Sequence, residues 1–311
     1  ATLRALVAHS RGDWHQQIEI DLLDTSRAPQ LAASVHDGHL CVVEHYLYGS
    51  RPYHELIAFA HRLRAAAQHS GAERGFAFAT LVLGEAELLA GHHAAAGLHL
   101  REAVELHHRV GSAAGQSLAL QRYAELDLIA GDGSEAASLL AQALELARQS
   151  TLLGRHLLPR IYGTMIDAAA GTAQSLAVVE EAESAVAPTE ACRMCRVTFT
   201  LPAARACARA GDQHRAQDYL AAAREVAPPA SRGVAWTAAM AETEAVLAEA
   251  AGHATAATSL QRDAAQLYAA AGQTHDASRC RAVACAPAEP VREAAAGRDT
   301  GAGKVSVRQS S

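Results

Sequence analysis

The stretch LGEAELLAGHHAAAGLHLREAVEL, residues 83–106, decides the fold of this chain. It consists of an apolar helical run, a glycine at Gly91 and a second run rich in alanine and leucine. Glycine tolerates the left-handed conformation that ends many helices, so Gly91 suits a turn between two antiparallel helices. The same arrangement returns in YAELDLIAGDGSEAASLLAQALEL, residues 123–146, and in ACARAGDQHRAQDYLAAARE, residues 206–225. The sequence therefore predicts a helical hairpin that is repeated along the chain.

Small side chains keep a fixed distance from these recurring glycines. The glycines follow one another at intervals of 40 to 42 residues: Gly49, Gly91, Gly131, Gly171, Gly211 and Gly252. Four units place small residues seven before, five after and twelve after the glycine: Gly84/Gly91/Ala96/Ala103, Ala124/Gly131/Ala136/Ala143, Ala204/Gly211/Ala216/Ala223 and Ala245/Gly252/Ala257/Ala264. Two units with the turn one residue earlier and one partial unit complete the set: Cys41/Tyr48/Tyr53/Ala60, Gly163/Ala170/Ser175/Ala182 and Ala265/Gly272/Ala277/Ala284. The pattern predicts an all-α chain of about six to seven antiparallel helix pairs.

This skeleton resembles the tetratricopeptide repeat, although its period near 40 exceeds the usual value of about 34. Longer repeats of this kind are similar to the sensor arm of MalT-like and LAL/AfsR-type bacterial transcription regulators. The stretches VHDGHLCVVEHYLYG, HLLPRIYGTMIDAAA, CRMCRVTFTLPAARACARAGD and DASRCRAV resemble actinobacterial members of that group. The resemblance covers residues 1–285 and implies a right-handed superhelix, an α-solenoid, that binds a ligand or partner and passes the signal on.

The sequence departs from those regulators in one respect. Their nucleotide-binding and DNA-binding domains have no counterpart here, since no Gly-x4-Gly-Lys-Ser/Thr phosphate loop occurs in the chain. The segment is therefore expected to be either a stand-alone repeat protein or the sensor part of something larger. Residues 286–311 are polar and contain glycine and proline, so they are predicted to form a disordered tail.

Composition narrows the class of protein further. Half of the residues are hydrophobic but only 4% are aromatic, and the apolar residues are mainly alanine and leucine, which favour helices. The net charge of −6 argues against direct nucleic-acid binding by this segment. No long apolar window and no secretory start are visible, so a cytoplasmic protein without membrane association is expected. The six cysteines are expected to be reduced thiols.

The stretch EACRMCRVTF, residues 190–199, contains a Cys-x-x-Cys pair, Cys192 and Cys195. Three interpretations stay open, namely a zinc site, a redox pair and two small residues in a tight helix contact. His156 lies about one period before Cys195, so two thiolates and one imidazole could hold zinc with an open fourth position. We predict reduced packing residues and expect no cofactor, with zinc as the alternative. His36, His39 and His45, on one predicted helix, are a further possible ligand set.

A candidate binding groove follows from the resemblance. In a tetratricopeptide-type repeat the concave surface is lined by positions about 13, 10, 6 and 3 residues before the turn glycine, and solenoids generally bind there. Applied to this chain, the rule selects Phe78, Leu81, Glu85, Gln121, Glu125, Leu128, Arg160, Thr164, Asp167, Thr198, Leu201, Arg205 and Glu242. Arg160 and Arg205 are predicted to bind a carboxylate or phosphate, because guanidinium groups can hold such groups bidentately.

Two functions from different classes remain as hypotheses. The first is a non-enzymatic sensor or adaptor of a transcription regulator, engaged in ligand binding or protein–protein interaction, with a small molecule or peptide in the groove. No catalytic residues are predicted, because the sequence lacks the usual nucleophile and acid–base motifs. The alternative is a stand-alone metal- or cofactor-binding protein, with or without catalytic activity, that has its site near His156, Cys192 and Cys195. Homo-oligomers are compatible with either.

Overall fold

The computed structural model describes residues 18–150, 154–186, 193–226 and 234–286. Within these ranges the secondary structure is entirely helical, which confirms the all-α prediction. The fourteen helices of the described ranges are α1 (Ile18–Ser26), α2 (Ala33–Leu47), α3 (Tyr53–His69), α4 (Glu73–Ala90), α5 (His93–Arg109), α6 (Ala113–Ala130), α7 (Gly133–Gln149), α8 (Gly154–Ala168), α9 (Thr172–Val186), α10 (Arg193–Arg209), α11 (Gln213–Val226), α12 (Val234–Ala250), α13 (Ala254–Ala271) and α14 (Thr274–Cys285). Most of the predicted tail, residues 287–311, lies outside the described residues.

Glycines with a positive φ end the first helix of several pairs. Gly91 follows α4 with φ 83°, and Gly131 follows α6 with φ 86°. The amide of Gly91 donates to the carbonyl of Leu88 over 3.0 Å, so the turn satisfies a carbonyl at the end of α4. The connections between pairs also use left-handed glycines, at Gly71 and Gly111, which the sequence analysis did not single out.

The small residues of the repeated pattern lie where helices touch. Most of them are fully buried, including Ala96, Ala103, Ala136 and Ala143. A Cβ atom on Gly84 of α4 would lie 2.9 Å from the Leu100 side chain of α5, so these two helices approach too closely for a larger residue. Close packing of this kind explains why small side chains recur at fixed distances from the turns.

The first helices of successive pairs pack on one another. Helix α4 contacts α6, α6 contacts α8, α8 contacts α10, and α10 contacts α12. A Cβ atom on Gly163 of α8 would meet the Thr198 carbonyl oxygen of α10 at 2.0 Å, so the backbones of these two helices lie close together. This row of five helices forms one continuous wall of the molecule.

The last described helix returns to an early part of the chain. Helix α14 packs on α13 and also contacts α4. The Gln273 side chain donates a buried hydrogen bond of 2.8 Å to the Tyr53 hydroxyl, and the Thr274 hydroxyl donates one of 3.0 Å to the Ala90 carbonyl. The helices thus surround a central space. None of the helices in the described ranges combines the length and apolar character needed to cross a bilayer.

Candidate functional site

A cavity of about 680 Å³ lies along the wall formed by α4, α6, α8, α10 and α12, with α14 on its far side. Its apolar lining comes from early and later first helices: Leu88 and Leu89 of α4, Leu128 and Ile129 of α6, and Val197 and Leu201 of α10. Three aromatic side chains also face it: Tyr48, Trp236 and Tyr268. Charged groups also line it: Glu125 of α6, Asp167 of α8, Arg205 and Arg209 of α10, Glu242 of α12, and Asp276 and Arg279 of α14. Ligand pockets in proteins combine apolar walls with a few convergent polar groups in this way.

The later pairs contribute a network of ion pairs to the cavity. Arg205 donates two hydrogen bonds, of 2.8 and 3.0 Å, to the Asp167 carboxylate. Arg279 donates to Glu242 over 3.0 Å and to Asp276 over 2.9 Å. Burial by itself would raise the pKa of Glu242, but the hydrogen bonds and charge of Arg279 outweigh it and lower this pKa to about 2. Glu242 is therefore ionised at neutral pH.

A second network lies beneath the cavity between α4 and α6. Arg122 is fully buried, and its guanidinium donates to Glu85 over 2.9 Å and to Glu125 over 2.7 Å. The Gln121 side chain donates to Glu125 over 2.6 Å and to the Thr164 hydroxyl over 2.8 Å. The buried charge is thus balanced by two carboxylates, as a buried guanidinium requires.

The structure divides the predicted groove residues into two groups. Eight line the cavity: Glu125, Leu128, Thr164, Asp167, Thr198, Leu201, Arg205 and Glu242. Five are buried and do not line it: Phe78, Leu81, Glu85, Gln121 and Arg160.

Helix α2 and the Arg122 network explain why the second group lies away from the cavity. The His36 and His39 rings of α2 lie 5.9 and 6.2 Å from the Phe78 ring, so Phe78 is covered from that side. Arg160, which was predicted to bind an anion, lies instead 3.6 Å from Glu85 below the cavity wall. The spacing rule predicts the helix face on which a residue lies, but it does not predict how deeply the side chain is buried.

Several cavity residues were not predicted. Trp236 lies in the first turn of α12, and its ring centroid is 5.3 Å from that of Tyr48, which follows α2. Asp276 and Arg279 belong to α14, which reaches the cavity only because the chain returns to α4. The buried Arg122 was also missed, since it lies nine residues before Gly131 and the spacing rule omits that position. Its position within the apolar run LALQRYAELDL is the sequence signal that could have drawn attention to it.

The predicted metal ligands are only partly described. The Cys195 sulfur lies 3.6 Å from Nδ1 of His156, so these two predicted ligands are neighbours across α8 and α10. Cys192 lies outside the described residues. In the ranges that the structure covers, no group of three or more His, Cys, Asp or Glu side chains is arranged to hold a metal ion. The zinc alternative therefore depends on Cys192.

The second histidine set also has a place in the fold. His36 and His39 are buried in α2, next to Phe78. Burial, followed by the charge of His39, lowers the pKa of His36 to about 4, so this imidazole is neutral at physiological pH. The side chain of His45 lies outside the described residues.

Comparison with known proteins adds no further information: no protein-family model matches the sequence, and a search of curated proteins finds no match. The function has to be argued from the cavity and its chemistry.

Proposed function

We propose that this chain is a non-enzymatic helical-repeat module that binds a small molecule or peptide in its central cavity, as the sensor or adaptor part of a bacterial transcription regulator. The observation that carries the proposal is the cavity of about 680 Å³, with apolar, aromatic and charged groups on one continuous lining. This volume lies within the range of about 300–1,000 Å³ that is typical of ligand sites. The regulator role rests on the resemblance to the MalT-like and LAL/AfsR-type sensor arms.

We also propose that the helices form six to seven tetratricopeptide-like pairs in a right-handed superhelix. The left-handed glycines after α4 and α6, the buried small residues and the contacts between successive first helices support this arrangement. In such a solenoid each pair contacts mainly its neighbours, and the inner surface is available for binding.

The cavity suits a ligand that combines an apolar body with an anionic group. Arg205 and Arg209 lie one helical turn apart on α10, and both line the cavity. Arg209 forms no hydrogen bond or ion pair with any of the described residues, whereas Arg205 is paired with Asp167. A carboxylate or phosphate would bind at Arg209 and compete with Asp167 for Arg205. The apolar part would contact Leu88, Leu89 and Trp236, which also face the cavity.

A fluorescent amphipathic anion, 8-anilinonaphthalene-1-sulfonate, tests this proposal. Titration of the folded protein should give saturable binding, and Arg209→Ala should weaken it roughly 5- to 10-fold because one charged hydrogen-bond donor is lost. Arg262→Ala is the matched control, since Arg262 is exposed on α13 and does not line the cavity. Equal affinities in the two variants, or no saturable binding at all, would contradict the proposed anion site. Cooperative thermal unfolding of each variant shows that the dye does not report a loosened core.

The contact between Cys195 and His156 supports a second candidate function, a stand-alone metal- or cofactor-binding protein. Metal analysis of the purified protein distinguishes it from the first. About one equivalent of zinc that is lost in both Cys195→Ala and His156→Ala would support a metal protein. Cys207→Ala is the control, because Cys207 is also buried on α10 but belongs to the packing core.

A further inference from the structure

Two distant parts of the chain meet at one small contact, which we call the seam. One side consists of Tyr53 and the segment from Ala90 to His93, and the other consists of the segment from Gly272 to His275. Across it run the hydrogen bonds from Gln273 to Tyr53 and from Thr274 to Ala90. The His93 and His275 rings add a contact with 5.2 Å between their centroids.

Gly91 is tightly packed against the other side of the seam. A Cβ atom at this position would lie 2.4 Å from the Thr274 hydroxyl oxygen, a distance that two such atoms cannot adopt without displacement. Gly131 ends α6 with almost the same backbone conformation, φ 86° against 83°, but a Cβ atom there would meet nothing within 4 Å. The absence of a side chain at Gly91 therefore serves the seam in addition to the turn.

The seam joins an early and a late part of the helix array, which also meet where the Tyr48 and Trp236 rings contact each other. The extensive contacts in this fold are those between consecutive helices and between the first helices of successive pairs, and they do not depend on the seam. A repeat structure held by neighbour contacts can open at such a junction while each helix pair stays folded. The arrangement around the cavity can therefore change if the seam opens and the Tyr48 and Trp236 rings separate, without unfolding of any helix pair.

The cavity spans this junction. Gln273 and His275 of the seam line it together with Asp276 and Arg279 of α14. On the opposite side, Leu88 and Leu89 of α4 line it just before the seam residue Ala90. A ligand that contacts both sides binds the closed arrangement more tightly than an open one, and this difference in affinity shifts the equilibrium toward closure.

We infer that the seam is a latch: it opens and closes the ring of helix pairs around the cavity, and an occupied cavity holds it closed. The second half of this inference rests on the proposed function, whereas the first half depends only on the seam contacts. Closure of the ring would turn ligand binding into a change of shape at the two ends of the repeat array, where further parts of a regulator could detect it.

The pair Gly91→Ala and Gly131→Ala tests the latch in the full chain. Both variants force alanine into a left-handed turn, so both should lose similar stability. Only Gly91→Ala places a methyl group against Thr274. Small-angle X-ray scattering should therefore show a larger radius of gyration for Gly91→Ala than for Gly131→Ala. In a Trp14→Phe background, acrylamide should quench Trp236 at least 2-fold more strongly in Gly91→Ala, because this ring lies on the cavity lining against Tyr48.

A rescue variant separates opening of the seam from local damage to the turn. Adding Thr274→Gly to Gly91→Ala removes the side chain that the new methyl group meets, so the compact scattering profile should return in part. Equal scattering and equal quenching in Gly91→Ala and Gly131→Ala would overturn the latch, whatever the cavity binds.

Coupling to the cavity is measured with 8-anilinonaphthalene-1-sulfonate. Its dissociation constant should rise roughly 5-fold or more in Gly91→Ala and change little in Gly131→Ala, because only the first variant separates the two sides of the site. If the seam opens in Gly91→Ala but both variants bind the dye with the same affinity, the inferred coupling between the cavity and the seam is wrong. If the unaltered protein does not bind the dye, the proposed anion site and the coupling both fail, and scattering alone decides the latch.

Discussion

Arginine–carboxylate pairs occur in two regions of this molecule, and their surroundings differ. In the sealed region, between α4 and α6, the side chains of Arg122 and Glu85 are 2% and 1% exposed. In the open region, on the cavity wall, each pair has one exposed member: Asp167 is 41% exposed beside Arg205 at 13%, and Arg279 is 42% exposed beside Glu242 at 9%. The chemistry is the same, but only in the open pairs do we expect one partner to be exchanged for a ligand, because a member of each open pair is well exposed to solvent. The comparison shows that solvent access, not residue type, separates a structural ion pair from a candidate binding group.

The largest expected effect comes from breaking the sealed region. Arg122→Ala should lower the free energy of unfolding by about 3–5 kcal/mol, because it leaves the buried Glu85 carboxylate without its main partner. Chemical denaturation at neutral pH measures the loss. The double variant Arg122→Met with Glu85→Gln should recover part of it, since neither charge then remains buried. A loss below 1 kcal/mol for Arg122→Ala would mean that the sealed network is not structurally important.

Low pH is expected to cause the next largest loss of stability, through buried histidines that pack close to the sealed region. Burial, followed by the charge of the neighbouring His36, lowers the pKa of His107 to about 3, and the pKa of His36 is lowered to about 4. Below pH 6.5 the unfolded chain binds protons that the folded chain does not, so stability is lost as the pH falls. Asp37 opposes this, because burial raises its pKa to about 6 and the folded chain takes up that proton first.

Between pH 7 and pH 5 the free energy of unfolding should fall by about 2–4 kcal/mol. Each histidine contributes roughly 1.4 kcal/mol per pH unit to this loss, and Asp37 offsets part of it. Denaturation at pH 7, 6 and 5 measures it. His107→Gln should reduce the loss by roughly 2 kcal/mol, because one of the two histidines no longer titrates. A flat profile from pH 7 to pH 5 would show that these histidines are accessible to protons in the folded state.

Overpacking should lower the free energy of unfolding by a similar amount in the early and in the later helix pairs. Ala136 of α7 and Ala216 of α11 are fully buried, the first in the apolar cluster that contains the early pairs and the second in the cluster around α10, α11 and α12. Replacing either by leucine should destabilise the protein by roughly 1–3 kcal/mol through overpacking. Ala137→Leu is the control, since Ala137 is exposed on the same helix as Ala136. If neither buried substitution lowers the melting temperature more than the control does, the predicted register of the repeat is wrong.

The smallest effect on stability is expected in the open region. Asp167→Asn removes the carboxylate that pairs with Arg205, and because the pair is partly exposed the change should be about 0–1 kcal/mol. Binding of 8-anilinonaphthalene-1-sulfonate should tighten about 2- to 5-fold, since Arg205 no longer has a competing anion. Weaker or unchanged dye binding would indicate that Asp167 does not compete with the ligand for Arg205.

The prediction of the fold went further than the prediction of the site, because its signals are local. Gly91 and Gly131 adopt the left-handed conformation expected of a helix end. The period alone also predicted that His156 and Cys195 lie close together, since residues about one period apart occupy equivalent places on adjacent pairs. Gly49 and Gly171 are the exceptions among the predicted turns. Neither has a positive φ, and each belongs to a unit whose turn comes one residue earlier.

What the sequence by itself determined is the all-α class and the helical hairpins, because glycine conformation and a period of 3.6 residues act within one or two turns. The face of each first helix that was expected to line the groove came from the resemblance to the tetratricopeptide repeat. The tertiary structure alone decided how deep each inward residue lies. It buried Arg160 and Phe78 while leaving Arg205 and Asp167 on the cavity wall. It also brought Arg279 to the cavity, through the contact of α14 with α4. These outcomes depend on contacts between residues far apart in the chain, which no local pattern encodes.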